Sequence, residues 1–406
     1  MPVQTSPRPT SQEFDTPPRV SATIPSQGGR AARRADAGTR KRTKRKDPLW
    51  ARITLVFGAV LMMTSGIAIV GSKALISQAT GGIAQKNLLG GAGKSDAEGG
   101  ANIDGPIDML LLGVDVRQNW AKDDIRSDSI ILLHIPASHD QAYLISMPRD
   151  TEAQIPAFEK SGYRGGTDKI NAAFQAGARN GGGWEGGAQL MAQTIKNMTG
   201  VSFDGAAIIN FGGFKTVIDT LGTIRVCVSH EVKSIHTSVV DGKQMWNTEA
   251  QKTGRPMTPT VYKKGCQEMN GLQALDYSRQ RYGLPNSDYD RQQNQQQVIK
   301  AMARKATDKG VLTNPVKLNQ LIRATSKGQA FILDTGGIPV PDFVFAMRGV
   351  TANELTMLRT NGGTYHGNAN HRETLDQQTL DMFRAVKEDR LAEFVYAHPN
   401  VLSTRK

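Results

Sequence analysis

Residues 107–151 read IDMLLLGVDVRQNWAKDDIRSDSIILLHIPASHDQAYLISMPRDT. Three short apolar runs stand out in this stretch: Ile107–Leu112, Ser129–Ile135 and Ala142–Met147. Rich in β-formers and separated by polar turns, they read as strands. Charge interrupts them in a regular way. Asp115 falls just past the first run, Asp128 just before the second, and Arg149 just after the third, where Pro148 stops any helical continuation. If the strands are neighbours, these groups collect at one edge of a sheet, and open α/β sheets bind their ligands at such an edge. Any one of these aspartates would equally suit a turn cap.

Working outward, Ala206–Asn210 and Ile224–Val228 read as further strands. Ala188–Met198, Phe214–Leu221, Leu272–Arg279 and Arg291–Ala306 read as helices. Gly181–Gly187 reads as a flexible loop, with a lid as the minor alternative. Asn314–Arg323, Phe343–Met347 and Leu375–Val386 continue the pattern. Strands and helices in alternation predict an α/β fold: a mixed central β-sheet flanked by helices on both faces. Its core spans 106–310, and 311–406 is either the C-terminal part of the same domain or its extension.

A second polar cluster covers residues 274–297. Arg279 and Arg281 lie two apart at the end of a helix, while Arg291 and Gln295 share one face of the next. Carboxylates with forked guanidinium donors suit a phosphate ligand held with a divalent metal. A surface salt-bridge cluster is the plain alternative.

The N-terminal part is different in kind. Residues 1–52 hold 12 Lys/Arg against 4 Asp/Glu, a net +8 of the chain's +13. Residues 1–47, rich in Pro, Ser, Thr, Gly and Arg, are expected to be disordered. They end in the basic run Arg40–Lys46, and Ile53–Ser72 follows as twenty residues without a charge. That length of helix, roughly 30 Å, crosses a hydrocarbon core. The chain is therefore expected to carry a disordered basic cytoplasmic tail (1–52), one N-terminal transmembrane helix (53–72), a flexible Gly-rich stalk (73–105) and an extracellular domain. Beside a span, the basic run reads as a topology signal and a contact for anionic membrane lipid, with no nucleic-acid partner. Gly93-Lys94-Ser95 lacks the first glycine of a phosphate loop, since residue 88 is Leu88.

Composition closes off other classes. At 406 residues and 38% apolar content the chain can build a real core. Two cysteines cannot make a disulfide-dense scaffold, and the seven histidines form no HExxH pair. There is no GxSxG nucleophile elbow. In an exterior domain, the two cysteines, Cys227 and Cys266, are expected to be bonded to each other rather than to remain separate thiols.

Five blocks in order carry a family resemblance: LLLGVD (110–115), RSDS (126–129), ISMPRDT (145–151), KINAAF (169–174), and ALDYSRQR through DYDR (274–291). The sequence resembles the LytR-CpsA-Psr family of cell-wall glycopolymer ligases. The resemblance implies a groove for a polyprenyl chain with its pyrophosphate at the mouth. It also implies transfer of a glycan phosphate from a polyprenyl-pyrophosphate-linked glycan to a peptidoglycan acceptor, with Mg2+ (or Mn2+) as cofactor. It assigns Asp115 and Asp128 as metal or base carboxylates and Arg149, Arg279, Arg281 and Arg291 as a pyrophosphate clamp. Lys169 and Gln295 become additional polar contacts. Many members carry an arginine where this chain has Asn294, which predicts a clamp weaker by one charge or organised differently. Two other functions stay open: a non-catalytic lipid- or glycan-binding surface protein that signals inward, and a pyrophosphatase that hydrolyses the carrier. No DNA-binding helix pair is visible in residues 1–47.

Overall fold

The strands of the 107–147 stretch are long and almost continuously apolar, and both their faces are covered. A computed structural model describes residues 84–115, 125–311, 314, 317, 320, 321, 324 and 330–403. The expected tail and span, and residues 73–83 of the expected stalk, lie outside the described residues. Among the described residues no helix is long and apolar enough to cross a membrane.

The strands are β1 (Ala84–Gln85), β2 (Ile107–Asp115), β3 (Arg126–Ile135), β4 (Ala142–Met147), β5 (Glu152–Ile155), β6 (Gly166–Lys169) and β7 (Gly205–Asn210). They continue with β8 (Ile224–Val228), β9 (Val232–Val240), β10 (Lys243–Trp246), β11 (Thr258–Tyr262), β12 (Gly265–Met269), β13 (Phe331–Asp334) and β14 (Leu355–Arg359). The helices used below are α1 (Asn171–Ala178), α2 (Gly183–Thr199), α3 (Phe211–Leu221), α4 (Asn247–Lys252), α5 (Gly271–Arg279) and α6 (Asp288–Asp308). Three more follow: α7 (Val340–Ala346), α8 (Gln377–Lys387) and α9 (Leu391–Ala397).

Seven strands form one sheet in the order β1-β13-β7-β2-β3-β4-β14. It is mixed: β2 runs antiparallel to β3 and parallel to β7, while β4 runs antiparallel to β3 and parallel to β14. Side chains alternate across a strand, so each run feeds two cores. Leu110, Leu112, Ile130, Leu132 and Ile145 enter one core, with Phe174 of α1, Leu190 of α2 and Phe383 of α8. Met109, Ile131, Ile135 and Leu144 enter the other, with Phe343 of α7 and Ile299 of α6. Burial on both faces explains why these strands read as nearly continuous apolar runs instead of alternating ones; two buried exceptions, Asp108 and His134, pair with each other at 2.8 Å.

The register places the strand ends together. Asp115 is the partner of Arg126, Val114 pairs with Asn210, and Ile130 pairs with Met147. The ends of β2, β4 and β7 and the start of β3 therefore share one edge. Helix α6 is pinned across the sheet by Gln296, which is buried. Its Nε2 donates to the carbonyls of Leu144 and Leu358 at 3.2 and 2.8 Å and to Ser146 Oγ at 2.9 Å. This fixes the helix that carries Arg291 and Gln295.

A smaller unit lies beside the sheet. β10, β9 and β11 form a three-stranded sheet, and β8 pairs with β12. Cys227 and Cys266, opposite each other on β8 and β12, form a disulfide. The residues after 311 add β13 and β14 to the main sheet.

Three expectations need correction. Residues 84–105 are no flexible stalk: Leu88, Leu89 and Ala92 are buried in the main core, and β1 pairs with β13. The backbone amides of Leu88 and Leu89 donate to Asp334 Oδ2 at 2.7 and 3.3 Å. Three well-placed apolar residues outweigh the glycine-rich average of that stretch. Nor is Gly181–Gly187 a loop or lid throughout, since α2 begins at Gly183. A Cβ on Gly177 would lie 2.3 Å from the Gly186 carbonyl, and one on Gly187 would lie 2.8 Å from the Phe174 carbonyl. Glycine at these positions lets α1 and α2 approach closely, and that packing overrides its low helix propensity. Residues 232–262, in which no element was expected, hold β9, β10, α4 and β11.

Candidate functional site

Asp115, Asp128, Arg149, Arg279, Arg281, Arg291 and Gln295 all line one cavity of about 270 Å³ at the shared strand edge. Arg149 extends from the turn after β4, and its Nη1 donates to Asp128 Oδ1 at 2.7 Å. Asp150 and Asp288 each lie 3.9 Å from its Nε. That buried Nε–H makes no hydrogen bond among the described residues, so the guanidinium keeps donor capacity. Burial alone would lower the Arg149 pKa, but the neighbouring Asp128, Asp288 and Asp150 raise it above the ordinary arginine range.

Arg291, almost fully buried, is held at both ends. Its Nε and Nη2 donate to the two oxygens of Asp288 at 2.9 and 3.0 Å, and its Nη1 donates to the Asp128 carbonyl at 2.8 Å. Burial pushes the Asp288 carboxyl up, but Arg291, Gln292 and Arg149 together hold it below its usual range. Asp288, the first residue of the DYDR block, orients the clamp. Arg279, at the end of α5, lies 3.4 Å from Asp115 Oδ2, and its guanidinium stacks 4.2 Å above the Phe211 ring. Gln295 accepts from Ser129 Oγ at 2.9 Å.

Lys169 stands apart from this lining. Its Nζ pairs with Asp150 at 2.8 Å, so it reaches the cluster only through the carboxylate beside Arg149. Asn294 also differs from expectation. It is fully buried, and its Oδ1 accepts from Tyr277 OH at 2.9 Å between α5 and α6. The position faces the interior, so the asparagine there does not subtract a charge from the cavity.

Sequence reading missed three residues of the lining, Phe211, Ile235 and His236, and gave Tyr282 no role. For Phe211 a signal existed. Asn210 caps α3 by accepting from Gly213 N at 2.8 Å, which sets the helix start at Phe211 instead of Phe214.

A second recess of about 220 Å³ adjoins the first. It is lined largely by apolar groups such as Ile131, Ile209, Phe214, Leu275 and Met302, and it shares Gly113, Ser129, Phe211, Arg279 and Gln295 with the charged cavity. An apolar channel thus leads into a mouth ringed by arginines. A larger space, about 530 Å³, opens at the opposite end of the sheet between residues 85–101 and Asp334–Gly337, but no arginine lines it. Its Lys94 is taken by Asp204 at 2.6 Å.

Behind the mouth, Glu373 is buried beneath Tyr289 of α6 and accepts from Tyr289 OH and from Asn361 Nδ2. Burial, with Asp288 and Asp150 nearby, pushes its carboxyl up to about 7 despite those hydrogen bonds. A carboxyl whose folded pKa is raised stabilises the fold fully below its ordinary value, and loses that contribution as pH climbs through about 7. Glu373→Gln keeps both accepted hydrogen bonds and cannot ionise. It is expected to match wild type near pH 4 and to melt several degrees higher at pH 8, from roughly 3 kcal/mol of relieved charge burial. Thermal melts at the two pH values check this, and an equal or lower melting temperature for the variant at pH 8 rejects it.

The sequence profile of the LytR-CpsA-Psr family matches residues 74–362. The chain belongs to this family. LcpB of Corynebacterium glutamicum, a probable cell wall biosynthesis protein, is 29% identical over 225 residues, covering 52% of this chain and 45% of the relative. The chain thus spans less than half the length of that relative. TagU of Bacillus subtilis, a polyisoprenyl-teichoic acid–peptidoglycan teichoic acid transferase, is 27% identical over 274 residues, covering 67% of this chain and 75% of the relative. Among solved structures, protein gbs0355 from Streptococcus agalactiae shares the fold, with a TM-score of 0.55 at 23% identity over 73% of this chain and 91% of that one.

Proposed function

We propose that the protein is a membrane-anchored phosphotransferase that moves a glycan phosphate from a polyprenyl-pyrophosphate carrier to a peptidoglycan hydroxyl and releases polyprenyl phosphate. The observation that carries this reading is the apolar recess opening into the arginine-ringed cavity. A ligand that matches both has a long hydrocarbon tail and a strongly anionic head. The family membership supports it, as does the name of the TagU relative. The Cys227–Cys266 disulfide supports an oxidising compartment, in keeping with residues 53–72 as the anchor and the domain outside the cell.

In the reaction the acceptor oxygen attacks the phosphorus that bears the glycan, and the bond to the bridging pyrophosphate oxygen breaks. Polyprenyl phosphate leaves. Arg149, Arg279, Arg281 and Arg291 face the charge that grows on the departing phosphate, and a preorganised clamp in a sheltered cavity is effective there. An aspartate of the cavity takes the hydroxyl proton. Asp115 and Asp128 put two hard carboxylates into the same cavity, and magnesium commonly takes one or two carboxylates when substrate phosphate and water complete its shell. Among the described residues no group of three or more His, Cys, Asp or Glu could hold a metal. Asp115 and Asp128 would hold magnesium or manganese, which would supply neutralisation of phosphate charge.

The test is the full chain in detergent with magnesium and a polyprenyl-pyrophosphate-linked glycan. Polyprenyl phosphate is expected to appear, and with peptidoglycan present the glycan should become covalently attached to it. Release without attachment favours a pyrophosphatase, and no release at all favours a binding or signalling protein. Either outcome rejects the transferase.

A further inference from the structure

None of the motif blocks contains His236, yet β9 carries it to the wall of the charged cavity beside Asp115, Arg149 and Arg279. Its surroundings fix what its ring can do. Gln280, fully buried, lies behind it with Nε2 at 3.0 Å from His236 Nδ1. The orientation of that amide follows from its other partners. Gln280 Oε1 accepts from the Ile235 N–H at 3.3 Å, and its Nε2 lies 2.7 Å from Asp276 Oδ1 and 3.0 Å from the Asp276 carbonyl oxygen. The first partner can only donate and the other two can only accept, so the nitrogen of the amide faces the imidazole.

Gln280 Nε2 also lies 3.2 Å from Ser234 Oγ, so its two hydrogens are shared among four acceptors, of which His236 Nδ1 is one; a ring that receives at Nδ1 carries its own proton on Nε2. Asp276 Oδ1 lies farther from Nδ1, at 3.4 Å, than Gln280 Nε2 does at 3.0 Å. It is well placed to back a doubly protonated ring when an anion sits in front. In both states Nε2 is a donor. That nitrogen has no protein partner among the described residues, and the side chain is 27% exposed at the cavity.

We infer that His236 is a phosphate-ligating residue, donating Nε2–H to an oxygen of the anionic head that the arginines hold, with Gln280 and Asp276 setting its tautomer and aim. The inference rests on the reading of the cavity as a polyprenyl-pyrophosphate site. Asp276 and Gln280 act through the ring and are positioning residues. Asp276 is anchored by Ser234, Thr237 and Tyr262, whose hydroxyls donate to it at 3.0, 2.7 and 2.6 Å. The imidazole thereby stands on a buried polar network at the base of β9, which gives a residue on a narrow strand a fixed direction.

The experiment uses the full chain in detergent with magnesium, titrated with geranylgeranyl pyrophosphate in a calorimeter. Wild type, His236→Ala and His236→Gln are compared after thermal melts show that the variants are folded. Loss of a hydrogen bond to a charged group is expected to weaken binding about tenfold or more in His236→Ala. His236→Gln, whose side-chain amide can point an N–H the same way, is expected to stay within about threefold of wild type. If wild type binds and His236→Ala binds equally well, His236 is no phosphate ligand. If His236→Gln falls as far as His236→Ala, donation from Nε2 is not its role. If wild type does not bind the probe, the polyprenyl-pyrophosphate reading falls, and this assignment with it.

Discussion

Replacing Arg149 by alanine is expected to lower glycan transfer at least about tenfold while the domain still folds. A charge-assisted hydrogen bond to phosphate contributes about 1.5–3 kcal/mol, or about 10- to 150-fold in rate. The geometry argues for the upper part of that range. Arg149 faces Asp128, Asp150 and Asp288 at once, so alanine removes one arm of the clamp and leaves Asp128 without its ion partner beside an anionic substrate, while Asp150 keeps Lys169 and Asp288 keeps Arg291. Arg149→Lys separates the two effects, because lysine restores charge without the two-pronged donor geometry. It should recover part of the activity and stay below wild type. Initial rates of polyprenyl phosphate release, with melting curves as a folding control, decide the matter. Near-wild-type transfer by Arg149→Ala would remove Arg149 from the clamp.

Asp115→Asn carries the second large effect. The substitution keeps size and hydrogen-bonding shape, removes one of the two cavity carboxylates proposed to hold magnesium, and takes the charge out of the 3.4 Å pairing with Arg279. Transfer is expected to fall about tenfold or more, and the magnesium concentration giving half the maximal rate should rise by a similar factor. A magnesium titration of the rate reads both. A variant slower by tenfold with an unchanged magnesium midpoint would leave Asp115 as a base or an arginine partner and take the metal role from it.

The strand edge was legible because it obeys a simple rule. A strand buried on both faces must be nearly continuously apolar, so the charge at the end of a run marks where it leaves the core, and Asp115, Asp128 and Arg149 each sit at such a point. Arg279, Arg281, Arg291 and Gln295 were legible from helical spacing and the family blocks. The sequence was quieter where structure depends on partners far along the chain. β9 is one such element: its inward positions include Ser234, Thr237 and Ser238, whose burial depends on hydrogen bonds to Asp276 and Asn247 that no periodicity announces. His236 was hidden with it. The glycines of α2 and the sparse leucines of residues 88 and 89 misled for the same reason, since close helix approach and long-range strand pairing set their conformation. Asn294 reads as a lost clamp charge only when its inward direction is unknown.

The strand order also dictates a sequence of events in time. β13 fits between β1 and β7, and β14 closes the far side against β4, so the central sheet is finished by segments made after residue 330. As the chain emerges N-terminus first, β7, β2, β3 and β4 can assemble early, but both outer edges then stand open and the short β1 has nothing to join. Open edges invite pairing with other chains, and contacts this distant along the chain form slowly. Until its last fifth has been made, the nascent protein therefore leaves β7 and β4 as unpaired borders, and the interval before β13 and β14 cover them is its period of greatest exposure to aggregation and proteolysis.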